Sequence, residues 1–328
     1  MSVSATPRHR SVSVAIAVLG VVLLVAGPML PGWAVSLANV SLCYGIVVLG
    51  MMLLMRTGLV SFGHGLYYAL GAYAAGLVDQ WGKLPDLLLM VAAGIVVTAV
   101  VAALLGLLLS RYREIFFAML SLAFSMILYG LLVKTGSLGS TDGFNVAAKT
   151  LAGVPIPAES QRLWIYSVTV VVAIVAAFAL DRFLASHRGR LAYAIRDNEL
   201  RVEYMGASVR RAVHLNYVIS AVLAGTGGAL MAVNIGHIDP EMTYWPQSGE
   251  FVFIGILSGT GSVFAPLAGA FVFESIRSFA YEYSPNTWQM TLGITMLLVI
   301  MFLPGGLWSL VGKLARRGSG GARSGDVR

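Results

Sequence analysis

Long apolar runs alternate with short polar connections along the entire chain. All but one of the runs hold roughly 17 to 23 residues, enough as helix to cross a hydrocarbon layer about 30 Å thick. They predict spans at residues 12–30, 35–55, 58–78, 87–109, 115–133, 163–180, 213–235, a short one at 248–260, then 263–281 and 287–303. The expected fold class is an all-α membrane protein of about ten transmembrane helices, some of them discontinuous. Flanking the membrane domain (12–303) are an N-terminal tail (1–11) and a basic C-terminal tail (304–328).

Two spans depart from plain apolar helix. Residues 58–76 contain Gly58, Gly63, Gly65, Gly71 and Gly76, and residues 255–269 contain Gly255, Gly259, Gly261, Pro266 and Gly269. The second group follows only about a dozen apolar residues, too few to cross as a regular helix. Irregular backbone at membrane depth is tolerated where it packs in protein or lines a wet cavity, so both segments are candidates for a translocation path. Setting Gly63 on Gly261 also places Gly71, Ala72 and Tyr73 on Gly269, Ala270 and Phe271, an echo of the kind an internal repeat leaves.

Composition agrees with a lipid solvent. Hydrophobic residues make up 58% of the chain and charged residues 11%, with mean hydropathy +0.81, a balance no water-soluble fold of this length could cover. The net charge of +7 would suggest nucleic acid in a soluble chain, but its placement points to the membrane instead. With the N-terminus (Arg8, Arg10) cytoplasmic, 17 of the 22 Lys and Arg fall on the cytoplasmic side, which is the positive-inside bias. The exceptions are Lys83, Lys134, Lys149 and Arg162 in outside loops and Arg277 within a span. Residues 14–30 read as a retained first span rather than a cleaved signal, because the run is long and no small-residue cleavage site follows. The single cysteine, Cys43, precludes an intrachain disulfide.

Two connections are long. The outside cap, about 134–162, is rich in Gly and Pro; the cytoplasmic loop, about 181–211, carries seven arginines and a short predicted helix. Asp197 or Asn198 can cap that helix, Glu199 sits in its first turn where the dipole favours an acid, and Gly206 suits its end.

Catalytic chemistry is poorly represented. At Gly312-Lys313 the phosphate-loop pattern fails, with Leu307 and Leu314 at the required Gly and Ser/Thr positions. Five scattered histidines form no H-E-x-x-H pair, and no serine lies in G-x-S-x-G, so neither a metal site nor an enzyme is expected and no cofactor is assigned to the chain. Intramembrane polar residues are the remaining functional candidates. Glu274 and Arg277, three apart, either pair along the pathway or snorkel to the surface. His64 with Tyr67 and Tyr68 forms a polar strip suited to helix packing or to substrate contact, and Glu250 is either an N-terminal dipole partner or a gate residue.

Four segments resemble one family. GRLAYAIRDNELRVEYMGASVRRAVHLNYVISAVLAGTGGALMA (Gly189 to Ala232) resembles the coupling loop and following span of LivM-type permeases of bacterial branched-chain amino acid ABC importers. SFGHGLYYALGAY (Ser61 to Tyr73), SGEFVFIGILSGTGSVFAPLAGAF (Ser248 to Phe271) and LPGGLW (Leu303 to Trp308) are similar to its glycine-rich motif, late broken helix and closing motif, in the family's order. The resemblance implies a type II importer fold in the bacterial inner membrane, a homologous LivH-type permease partner, two cytoplasmic ATPases that hydrolyse ATP, and a periplasmic binding protein. It implies an ATPase-coupling helix of Asp197, Glu199, Leu200, Arg201, Tyr204, Met205 and Gly206. Path candidates are Ser61, Gly63, His64, Gly65, Tyr68, Glu250, Ser258, Gly259, Gly261, Glu274 and Arg277. In the cap, Thr141, Asp142 and Gly143 replace the first glycine of the family's T-G-G motif with an acid. Branched-chain amino acids are the default cargo, with urea, amides or aromatic carboxylates as alternatives within the family. An ion-coupled secondary transporter is the rival class, and it would need more buried acids than Glu250 and Glu274.

Overall fold

The computed structural model describes residues 7–283, 285–303 and 305–309, with side chains from residue 12 onward except that of Ile300. The expected tail residues 1–6 and the basic stretch 310–328 lie outside the described residues. Six helices are long and apolar enough to cross a membrane: α1 (Pro7–Ala26), α2 (Gly32–Arg56), α4 (Leu87–Leu109), α5 (Glu114–Lys134), α6 (Gln161–Ala185) and α9 (Val209–Ile235). The others are α3 (His64–Gln80), α7 (His187–Asp197), α8 (Glu199–Tyr204), α10 (Trp245–Ser258), α11 (Phe264–Tyr283) and α12 (Trp288–Phe302).

Burial sorts these helices into centre and rim. α2 and α9 are mostly buried, whereas few residues of α1 and α5 are. The rim helices turn Val14, Val18, Val21, Ile115, Phe116 and Ile127 outward, as lipid-facing surfaces do. Lipid offers apolar side chains no reason to leave it, so the central helices associate through close backbone packing at small residues. A Cβ on Gly71 of α3 would overlap the carbonyl of Gly225 on α9, and one on Gly228 the carbonyl of Tyr68. Between α2 and α9, Gly50 meets the Ser220 carbonyl in the same way.

Two crossings are helical for only part of their length. The chain leaves α2 through Gly58 (φ +82°) and stays non-helical to Gly63, so the predicted span 58–78 is helix only from His64. α10 and α11 are separated by non-helical residues 259–263, the break anticipated from the glycines. A second break precedes α10, where the sequence suggested only an outside connection. After Gly236 (φ +77°) the chain runs through β4 (His237–Ile238) and a 3-10 turn (Pro240–Thr243) into the bundle. There the buried carbonyl of Thr243 accepts from Ser125 Oγ of α5 at 2.7 Å. Gly71 and Gly269, matched in the internal echo, pack against different neighbours, α9 and Ser258.

At one end of the bundle, residues 135–160 form the cap. β1 (Phe144–Asn145) pairs antiparallel with β4, and β2 (Thr150–Leu151) with β3 (Val154–Pro155). Asp86 ties this cap to α4. Its Oδ1 caps the helix by accepting from the N–H groups of Leu88 (3.0 Å) and Leu89 (3.4 Å), while Oδ2 accepts from Thr150 Oγ1 (3.1 Å) and Gly153 N (2.8 Å). Burial pushes the Asp86 carboxyl up, but those hydrogen bonds outweigh it and hold the group below the ordinary aspartate value.

The opposite end is basic and carries α7 and α8. Of the two caps expected for the short helix, Asp197 or Asn198, it is Asn198 that takes the extended backbone of a cap (φ −164°, ψ 104°). Its Oδ1 accepts from Arg201 N at 2.9 Å, which makes Asn198 the cap of α8 and leaves Asp197 as the last residue of α7. Glu199 holds the first turn, and Gly206 (φ +82°) closes the motif as anticipated.

Candidate translocation site

The non-helical segment before α3 lies inside the bundle, so its backbone donors need partners other than water. Hydroxyls supply them. Ser121 Oγ on α5 accepts from Phe62 N (3.1 Å), Ser61 Oγ from Gly63 N (3.2 Å), and Ser248 Oγ on α10 from Gly65 N (2.9 Å). His64 is 1% exposed and its Nε2 shares a 2.8 Å hydrogen bond with Ser220 Oγ of α9. The glycines permit this closeness: a Cβ on Gly63 would stand 2.7 Å from the Ser121 carbonyl, and one on Gly65 2.8 Å from Ser248 Oγ. The polar strip of His64, Tyr67 and Tyr68 is a helix-packing contact here. Tyr67 shares a 2.7 Å hydrogen bond with Tyr217, and Tyr68 meets Tyr44 and Phe251 edge to face.

A second polar cluster joins α2, α10, α11 and α12. Arg277 Nη1 reaches Glu250 Oε2 (3.2 Å), Glu274 Oε1 (3.4 Å) and the Tyr44 hydroxyl (3.4 Å), and its guanidinium lies 5.4 Å from the centre of the Trp288 ring. Gln247 Nε2 donates to Tyr44 Oη (3.2 Å) and Glu250 Oε2 (3.5 Å). Glu274 is 7% exposed. The structure has the pairing of Glu274 with Arg277, one of the two readings their spacing offered, and Glu250 joins the same guanidinium. Tyr44, Gln247 and Trp288 were missed. Gln247 stands one helical turn before Glu250 and offered a signal; Tyr44, one aromatic in an apolar run, offered none.

Beside this cluster, α10, α11 and α12 border an open groove of about 820 Å³. Its wall includes Phe62, Trp245, Phe273, Leu292 and Met296, with Glu250 among them. Ser258, Gly259 and Gly261 do not join it. They lie at the basic end, where Gly259 borders a smaller cavity of about 410 Å³ with Gly58 and Arg196. Arg56 closes over that region by donating through Nε to the Thr260 carbonyl at 2.9 Å. The path candidates therefore divide between the interior and one end.

On the basic end, α8 presents Leu200, Tyr204 and Met205 at 64%, 89% and 68% exposure, while Val202 is buried beneath them. Asp197 and Arg201 are exposed beside them, and Glu199 is fixed by Arg113 at 2.6 Å. On the cap, Thr141 Oγ1 donates to Asp142 Oδ1 at 3.1 Å in the open. Gly143 (φ +66°) turns there against the Ile238 carbonyl, a place no Cβ fits.

A multi-pass helical bundle with partly unwound crossings, polar clusters in its interior and no extended soluble domain among the described residues defines a membrane transport protein. Residues 33–301 match the model of the family described as branched-chain amino acid transport system / permease component, and the chain belongs to that family. It is 28% identical over 310 residues to the high-affinity branched-chain amino acid transport system permease protein LivM of Escherichia coli (strain K12), covering 87% of this chain and 72% of the relative. It is 23% identical over 300 residues to LivH of the same organism, covering 80% of this chain and 90% of that protein. The fructose import permease protein FruG of Bifidobacterium longum (strain NCC 2705) is 26% identical over 312 residues, covering 90% of this chain and 91% of FruG. No solved structure matches.

Proposed function

We propose that this permease is one of two paired membrane subunits of an ATP-driven importer of branched-chain amino acids, with the type II fold and ten crossings. Six long helices account for six crossings. α3 and α10, each with its non-helical half, together with α11 and α12, supply four more. The basic end faces the cytoplasm of a bacterial inner membrane by the positive-inside bias, which places both termini there and the cap in the periplasm. A LivH-type permease completes the passage, two ATPases hydrolyse the ATP, and a periplasmic binding protein delivers cargo to the cap near Thr141, Asp142 and Gly143.

The observation that carries this reading is the exposed apolar trio on α8. Leu200, Tyr204 and Met205 stand out from the bundle in a loop of arginines, on a chain whose sequence holds no phosphate loop. Such a surface fits a groove in a soluble ATPase, with the arginines as rim. Replacing Tyr204 and Met205 by Glu is expected to abolish ATP-driven uptake and weaken copurification of the ATPases. Unchanged uptake and copurification would overturn the proposal. Similarity to the FruG permease favours a second reading in which the cargo is a sugar. Uptake assays of the reconstituted complex with leucine and fructose separate the two.

A further inference from the structure

The groove beside α10 and α12 is almost entirely apolar. Beyond two indoles, Glu250 and Gln289 are the polar side chains of its wall. A pocket of this kind holds an aliphatic body by burial and fixes orientation through few polar groups. A sugar would leave most of its hydroxyls without partners on such a wall, and each unpaired polar group costs free energy.

Glu250 is placed to do the orienting. Its Oε2 is occupied by Arg277 and Gln247, while Oε1 takes no hydrogen bond from any described residue. Two carboxylates, Glu250 and Glu274, share the one guanidinium of Arg277, and with both ionised the cluster carries one formal negative charge in excess. In a partly dehydrated wall that excess favours a cation and repels an anion. Arg277 and Gln247, one helical turn before Glu250 on α10, hold the carboxylate in place and are themselves bonded to the Tyr44 hydroxyl of α2, so it does not have to be organised when cargo arrives.

We infer that Glu250 is a specificity-determining residue of this chain, its Oε1 receiving the ammonium group of an aliphatic cargo whose body lies against Trp245, Phe273, Leu292 and Met296. This rests on reading the chain as an importer subunit and adds that selection does not end with the delivering protein. The groove rejects the same aliphatic skeleton when the amine is missing.

The test uses the complete complex of this chain with its partner subunits in nanodiscs, read by intrinsic tryptophan fluorescence because Trp245 and Trp288 stand in the wall. Three probes share one aliphatic skeleton: L-leucine, isoamylamine, which lacks the carboxylate, and isocaproate, which lacks the amine. Leucine and isoamylamine are expected to bind, and isocaproate at least tenfold more weakly. Glu250→Gln should erase that difference, and Glu250→Asp should keep part of it. Isocaproate binding the unaltered complex as tightly as isoamylamine would overturn the inference, since the groove would then take acyl chains by burial alone. The measurement on unaltered protein stands whether or not the variants fold. A complex that prefers isoamylamine yet imports no leucine would sink the proposed cargo and leave the role of Glu250 intact. Leucine uptake without amine preference would do the reverse.

Discussion

Gly65 and Ser248 join the starts of two helices inside the bundle: the N–H of Gly65, in the first turn of α3, donates to Ser248 Oγ, in the first turn of α10, at 2.9 Å. Both helices follow a non-helical stretch, and a helix start always leaves backbone donors without intrahelical partners. Ser248→Ala removes the acceptor and leaves a buried N–H unpaired, at a cost of about 1–3 kcal/mol. A lower melting temperature of the detergent-purified protein is the expected result, with Ser275→Ala as the control. Ser275 Oγ bonds only to the Phe271 carbonyl of its own helix and is half-buried, so its loss should change little.

Close backbone approach is the other structural device with a measurable signature. Gly228→Ala drives a methyl group into the Tyr68 carbonyl and should prevent normal packing of α3 on α9. Gly130→Ala on α5 meets nothing within 4 Å and should stabilise the helix by up to about 1 kcal/mol, because alanine loses less backbone entropy on folding. Fluorescence-detected size exclusion of the two variants should show an aggregated or absent peak for the first and a normal, more heat-resistant peak for the second. Equal behaviour would mean that the interhelical distance is not set by these glycines.

The pattern of apolar runs located most helices closely. The run 87–109 became α4 with the same bounds, and 115–133 became α5 with one residue more at each end. Runs of that kind report only that a segment prefers lipid. The glycines of 58–76 did flag the non-helical stretch before α3, whereas 236–244 read as a plain connection, because the serines that satisfy such backbone, Ser121 for Phe62 and Ser125 for Thr243, stand on a helix far away in sequence. A serine that bonds its own helix and one that bonds another look the same in a list of letters. Charge spacing was more informative. The spacing of Glu274 and Arg277 put their pairing among two readings, the other being snorkelling, whereas Glu250 and Tyr44 reach the same guanidinium only through the fold.

Acid should loosen the cap before the bundle. Asp86 titrates below the ordinary aspartate value in the folded protein, so it contributes stability that is fully present above the unfolded value and is lost as pH falls through the folded one. Limited proteolysis within residues 135–160 should accelerate as pH drops below the normal aspartate range, using a protease active in acid. In Asp86→Asn the loop should already be cut faster at neutral pH and show a flatter pH profile. An unchanged cleavage rate in Asp86→Asn would show that β-pairing alone holds the cap.

Arg277 offers a sharper test of how the interior polar cluster is held. Its guanidinium serves Glu250, Glu274 and Tyr44 and faces the ring of Trp288, so it gathers four helices at one point. Arg277→Met leaves two carboxylates without their cation. Breaking a fully buried ion pair costs about 3–5 kcal/mol, and the 32% exposure of the Arg277 side chain lowers the expected loss to about 2–3 kcal/mol. Lysine keeps the charge but not the planar fork, and it should restore only part of the stability. The deciding variant is Arg277→Met combined with Glu250→Gln and Glu274→Gln. If the loss comes from stranded carboxylates, removing their charge should recover most of the melting temperature; if it comes from lost packing against Trp288, the triple variant should melt as low as Arg277→Met alone.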